Sequence, residues 1–229
     1  MLHVSLVQQI AAWLLPVLLA VTVHETAHGL VARRFGDKTA EMQGRLSLNP
    51  IKHIDPIGTI LVPGLMLLLP GNFVFGWAKP VPVDWRNFKH PKQDMAWVAL
   101  AGPASNLLMG FAWAVLARIA LSLPTESWVK APLLFMGVAG IFINTILMVL
   151  NLLPLPPLDG GRVLMGLLPG PWSWRLGQIE PYGFLILVVL MATGWLWKIM
   201  LPPLSLMLGL VATVSGLPDG TLSQLVNAI

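Results

Sequence analysis

What most restricts the fold is an H-E-T-A-H pentad set near the end of an apolar run long enough to cross a bilayer. It lies in Val21-Thr22-Val23-His24-Glu25-Thr26-Ala27-His28-Gly29. On a helix, a separation of four residues stacks both imidazoles on nearly one face, one turn apart. That spacing lets two side chains hold one zinc ion, with the intervening glutamate beside the metal to take a proton from water. Ionisable groups inside a membrane segment are costly and mark function. A pair of helix-end histidines packed at the interface would give no reason for Glu25 to sit between them.

Composition sets the environment. Of 229 residues, 56% are hydrophobic and only 10% charged, with a mean hydropathy of +0.76. Soluble domains carry about 25% charged residues, so the expectation is an all-α polytopic membrane protein, multi-pass in a cell (inner or plasma) membrane, with the lipid bilayer as its surroundings. No cysteine is present, which removes disulfides, thiolate ligands and thiol nucleophiles. The N-terminal Met1-Leu2-His3-Val4 lacks the basic start of a signal peptide, so the first apolar run is expected to be retained. The net charge of +4 is scattered over flanking loops without an aromatic–basic face, so no nucleic-acid partner is expected.

Hydropathy and punctuation predict about five crossings (four to six). Residues 5–32, 96–121, 133–153 and 181–198 are of spanning length, whereas 203–216 is short. The apolar stretch 54–70 is broken by Pro56, Gly58, Pro63 and Gly64 and has basic residues on both flanks. A re-entrant or in-plane segment suits it better than a crossing. Alternation over 38–48 predicts a small β-hairpin near the cytoplasmic face. Lys79-Pro80-Val81-Pro82-Val83 is expected to be an edge strand, or a stiff linker, since alternate prolines remove donors from one side. One membrane-embedded domain covering 1–229 is expected, with a core over about 5–165 and C-terminal helices over 180–216.

Charge gives the orientation. Placing 33–53, 79–94 and 160–178 on one side gathers Arg33, Arg34, Lys38, Arg45, Lys52, Lys79, Arg86, Lys89, Lys92, Arg162 and Arg175, 11 of the 14 basic residues. That side is expected to be cytoplasmic and the N-terminus external. Asn151-Leu152-Leu153-Pro154-Leu155-Pro156-Pro157-Leu158-Asp159-Gly160 ends the helix of 133–153 on the same side, so Asp159 falls at the level of His24 and His28. A third ligand is then available from Asp159, His53 or Asp55; the last two are alternatively gating residues of the broken segment.

The H-E-T-A-H-G motif, the later G-P-A-S-N and the N-L-L-P-L-P-P-L-D-G resemble the site-2 protease family of intramembrane zinc metalloproteases. S-L-N-P-I-K-H-I-D-P-I-G-T and G-W-A-K-P-V-P-V are similar to its compact prokaryotic members, and the resemblance spans about 15–165. It implies one Zn2+ per chain held by His24, His28 and Asp159, with Glu25 as general base or acid. It also implies Asn106 and Asn151 as polar residues around the site that stabilise an oxyanion. The implied activity is hydrolysis of peptide bonds in or near the transmembrane segment of single-span membrane proteins, in regulated intramembrane proteolysis, without an accessory domain. A metal transporter would need polar residues along several spans, and a silent scaffold would not need Glu25.

Overall fold

The computed structural model describes residues 6–68 and 76–218, and every regular element among them is helical. In chain order these are α1 (Leu6–Arg34), α2 (Thr39–Met42), α3 (Val62–Leu68), α4 (Pro91–Ser122), α5 (Lys130–Asn151), α6 (Asp159–Leu167), α7 (Gly170–Gly177), α8 (Glu180–Ala192) and α9 (Trp195–Val214). Ile10–Arg34, α4, α5 and α9 are long and apolar enough to cross a membrane. The bent pair α7–α8, with 61° between its halves, adds a fifth crossing if it counts as one. The chain is a multi-span membrane protein.

The bundle is held by close backbone approach. Between lipid-solvated helices there is little hydrophobic drive, so packing by small residues brings them together. A Cβ on Gly137 of α5 would lie 2.8 Å from the Cβ of Ala117 on α4, and one on Gly140 would lie 2.2 Å from the Trp113 ring. Ala114, Ala117, Trp113 and Ile141 are buried there together with Val211 of α9. α1 lies against both α4 and α5, with Pro16 fully buried inside it.

Two expectations are corrected. Among the described residues there is no β-hairpin and no strand. Asp37, just beyond α1, accepts hydrogen bonds from the Thr39 amide (3.0 Å) and hydroxyl, which winds Thr39–Met42 into a helical turn instead. Local side-chain-to-backbone bonds of this kind compete with strand pairing. The 79–83 stretch has no regular secondary structure, and two of its N–H groups reach a loop carbonyl and a side chain rather than a ladder: Lys79 N–H donates to His53 O at 2.9 Å and Val81 N–H to Glu25. The C-terminal division also moves. Gly194, at φ +74°, ends the apolar helix of 180–192, and α9 then runs 20 residues through Pro202 and Pro203. Hydropathy is continuous across this break; only the left-handed glycine marks it.

The expectation for 54–70 falls partly on described residues. A π-helical turn over Pro56–Leu61 leads directly into α3. Together they make a stretch of about 20 Å, short of the roughly 30 Å hydrocarbon core. Residues 69 and 70 lie outside the described residues.

Asp37 also ties this layer together. Its carboxylate accepts from Asp84 N–H at 2.8 Å and from Asn87 Nδ2 at 2.8 Å, clamping the 84–87 turn onto the end of α1. Burial pushes the carboxyl up, and the Thr39, Asn87 and Asp84 donors outweigh it, so it ionises below the usual carboxylate range. A group with a depressed folded pKa contributes stability above its unfolded value, near 3.8, that is lost as pH falls. Asp37→Ala is therefore expected to lower unfolding free energy in detergent by about 1–3 kcal/mol at pH 7. The gap to wild type narrows on acidification towards pH 3, as followed by thermal unfolding across that range.

Candidate metal centre

His24 and His28 sit one turn apart on α1 because the helix continues unbroken to Arg34. Their ring centroids are 4.6 Å apart and nearly perpendicular, and their Nε2 atoms 3.0 Å apart. Asp159 arrives from the other side as the first residue of α6. Its Oδ2 lies 3.2 Å from His24 Nε2 and 3.3 Å from His28 Nε2. The segment before it packs on the start of α6 so closely that a Cβ on Gly160 would lie 2.3 Å from Leu152 O. The Asp159-Gly160-Gly161 order is thus steric as well as chemical.

Each imidazole has its far nitrogen fixed. His24 Nδ1 is 2.6 Å from Asn106 Oδ1 on α4, and His28 Nδ1 is 2.7 Å from Val98 O on the same helix. An amide oxygen and a carbonyl only accept, so both rings carry hydrogen on Nδ1 and present Nε2 lone pairs to the cluster. Asp159 Oδ2 is buried with no hydrogen-bond partner. Two imidazole nitrogens and one carboxylate oxygen, mutually within 4.8 Å, match in kind the donor set of a three-ligand zinc site. Asp159 Oδ2 faces both Nε2 lone pairs without a hydrogen bond from either, an arrangement that fits a cation.

Glycine shapes the remaining wall. A Cβ on Gly102 would lie 2.5 Å from His28 Nε2 and 2.6 Å from His24 Nε2, closer than any packed atom tolerates. Gly102 opens the G-P-A-S-N motif, so that motif supplies both the missing side chain and Asn106. Glu25 points to a different partner: its Oε2 accepts from the Val81 backbone N–H at 2.7 Å. Thr26 Oγ1 donates to Ser47 O at 3.0 Å, tying the same turn of α1 to the loop.

The other expected site residues lie elsewhere. His53 is buried, with Nε2 2.8 Å from Ser47 O, and Asp55 caps the following helix by accepting from Ile57 and Gly58 N–H at 2.9 and 2.7 Å. Neither belongs to the cluster. Asn151 donates to Leu147 O of its own helix at 2.9 Å. Asn106 has its amide committed to His24, Ala20 O and Asn144, so it fixes the His24 ring and offers no free donor. Val81, Gly102 and Asn144 were not singled out from the sequence. Gly102 stood in a motif already noted, whereas an apolar valine between prolines carries no sequence signal. An apolar cavity of about 930 Å3 lies against the α1 turn before the cluster, lined by Val21 and Thr22 of α1, Leu147 and Leu150 of α5, Met191 of α8 and Trp197 of α9.

A membrane bundle that buries a His–His–Asp donor set beside a glutamate defines a membrane zinc metalloprotease. Comparison with known proteins agrees. The chain is 43% identical over 178 residues to the "Putative zinc metalloprotease YwhC" of Bacillus subtilis, covering 77% of this chain and 78% of that protein. It is 37% identical over 186 residues to the "Putative zinc metalloprotease Rip2" of Mycolicibacterium smegmatis, covering 80% of this chain and 66% of that one. A similarly named protein of Methanocaldococcus jannaschii is 26% identical over 71% of this chain and 72% of its own. No family model and no solved structure matches. The chain belongs to the site-2 protease family of zinc metalloproteases.

Gly102→Ala is expected to drive the two imidazoles apart and reduce bound zinc to a small fraction of wild type, with the helical content kept. Metal analysis of the purified variant beside its circular dichroism spectrum checks this; full zinc occupancy would refute it.

Proposed function

We propose that this chain hydrolyses peptide bonds within or near the transmembrane segment of single-span membrane proteins, using one zinc ion per chain in a single membrane-embedded domain. The observation that carries this reading is the position of the donor set: two of its three ligands stand on a spanning helix, and the third starts the short helix that follows another. The positive-inside rule, applied to the basic loops, favours the cytoplasmic side for that end of the bundle. Relatives in two bacteria and an archaeon favour a prokaryotic cell membrane.

Zinc at this site supplies a Lewis acid that acidifies water and polarises a carbonyl. His24, His28 and Asp159 would hold it. Glu25 is the proton carrier. Its Oε2 is fixed by the Val81 N–H, which leaves Oε1 to accept the proton and later return it to the leaving amine nitrogen. A helix in lipid has all its carbonyls hydrogen-bonded, so the substrate must unwind before reaction. The apolar cavity beside Val21 and Thr22 suits an apolar segment delivered from the bilayer. Pairing of that segment with the 79–82 stretch is not favoured: Lys79 and Val81 have committed their N–H groups and Pro80 and Pro82 have none.

Two measurements test the reading. Glu25→Gln should retain zinc yet lose cleavage of a reporter transmembrane peptide by about 100-fold or more; equal cleavage by both proteins would remove Glu25 from the chemistry. Val81→Pro deletes one N–H in a backbone already framed by prolines. It should lower kcat by about 10- to 100-fold at unchanged zinc content, and an unchanged kcat would show that the Val81 contact is idle.

A further inference from the structure

His24 receives its hydrogen-bond acceptor from Asn106, and Asn106 is itself held by a residue on a third helix. Asn144, on α5, is fully buried, as is Asn106. Asn144 Nδ2 donates to Gly140 O at 2.8 Å, and Asn144 Oδ1 accepts from Asn106 Nδ2 at 3.0 Å. Asn106 Nδ2 also donates to Ala20 O at 3.2 Å, and Asn106 Oδ1 accepts from His24 Nδ1 at 2.6 Å.

The chain of bonds has only one consistent direction. A backbone carbonyl never donates, so Gly140 O dictates that the Asn144 nitrogen faces it and the oxygen faces away. That oxygen, with Ala20 O, dictates that the Asn106 nitrogen points towards α1 and α5 and its oxygen towards His24. His24 must then carry hydrogen on Nδ1, and Nε2 keeps its lone pair. Reversing the Asn106 amide would put a donor against His24 Nδ1, move the ring hydrogen to Nε2 and close that nitrogen to a metal.

We propose that Asn144 is a positioning residue of the metal centre, acting through Asn106 to hold His24 in the tautomer that ligates. This rests on the reading that His24 holds zinc. Nothing else in the pair's surroundings calls for two buried amides: Asn106 and Asn144 meet at the contact of α4 with α5, which Gly137 and Gly140 already bring together through Ala117 and Trp113.

The test uses the purified full chain, with zinc alone as the probe. In the metal-free, 15N-labelled protein, His24 of wild type is expected to show Nδ1–H; a dominant Nε2–H form would overturn the proposal without any variant. Asn144→Leu, similar in volume but with no polar atoms, should populate Nε2–H and weaken zinc binding in chelator competition by about tenfold, the low end for partners of metal ligands. Asn144→Asp, whose buried carboxyl stays protonated, offers the same donor and acceptor and should restore both readouts towards wild type. The double variant Asn106→Leu/Asn144→Leu should bind zinc no more weakly than Asn106→Leu alone. A lowered Tm for Asn144→Leu with unchanged zinc affinity and tautomer would make the pair a plain interhelical tie and defeat the inference. If wild type bound no zinc, or His24→Ala bound it as well as wild type, the metalloprotease reading would fall first and this inference with it.

Discussion

Burial of three ionisable side chains, His24, His28 and Asp159, in an apolar bundle is the constraint on which the rest depends. A polar group taken from water without a partner costs several kcal/mol, and an uncompensated charge far more. Each group at the centre is accordingly met from a different part of the chain. α4 supplies Asn106 and the Val98 carbonyl, the 79–83 stretch supplies the Val81 N–H, and the turn before α6 delivers Asp159. The order of elements around α1 follows from these four attachments. α4 lies against the histidine face, and the loop layer covers the end of the helix.

The clamp at Asp37 belongs to the same logic. Glu25 is held by a backbone N–H in a stretch without regular secondary structure, so that stretch needs its own anchors. It gets them from His53 O, from Arg45 Nη2 bonded to Lys79 O at 2.8 Å, and from Asp37 beyond it. His53 and Asp55 are explained at this level too. One is buried against Ser47 O and the other caps a helix, so the density of polar residues in 44–59 reflects the assembly of a scaffold for Glu25.

The convergence of His24, His28 and Asp159 is legible because it obeys helical arithmetic. His24 and His28 are four apart, and Asp159 follows three prolines that can only end a helix. The spans were legible from hydropathy as far as α5. Elsewhere the sequence signal was ambiguous for definable reasons. Alternation over 38–48 matched a strand, yet a single buried Asp37 reorganised it. Beyond residue 180 the apolar composition has no gap, and Gly194 alone divides α8 from α9. Asn106 carried a signal as a polar residue in a span, but whether it faces a substrate or a ligand depends on where Asn144 and Ala20 stand, and no spacing rule encodes that. Val81 meets Glu25 through its main chain, to which side-chain identity is nearly blind.

A wall made by an absent side chain has a consequence for how such an enzyme can be altered. At Gly102 there is no smaller residue to substitute, and every larger one intrudes on the imidazoles. That position offers no gradation: the metal pocket can be kept or lost there, never tuned. The residues lining the neighbouring apolar cavity, such as Val21, Leu150 and Met191, can change volume in steps of a methyl group. Changes of cavity volume would start with those side chains, leaving the geometry around Gly102 fixed.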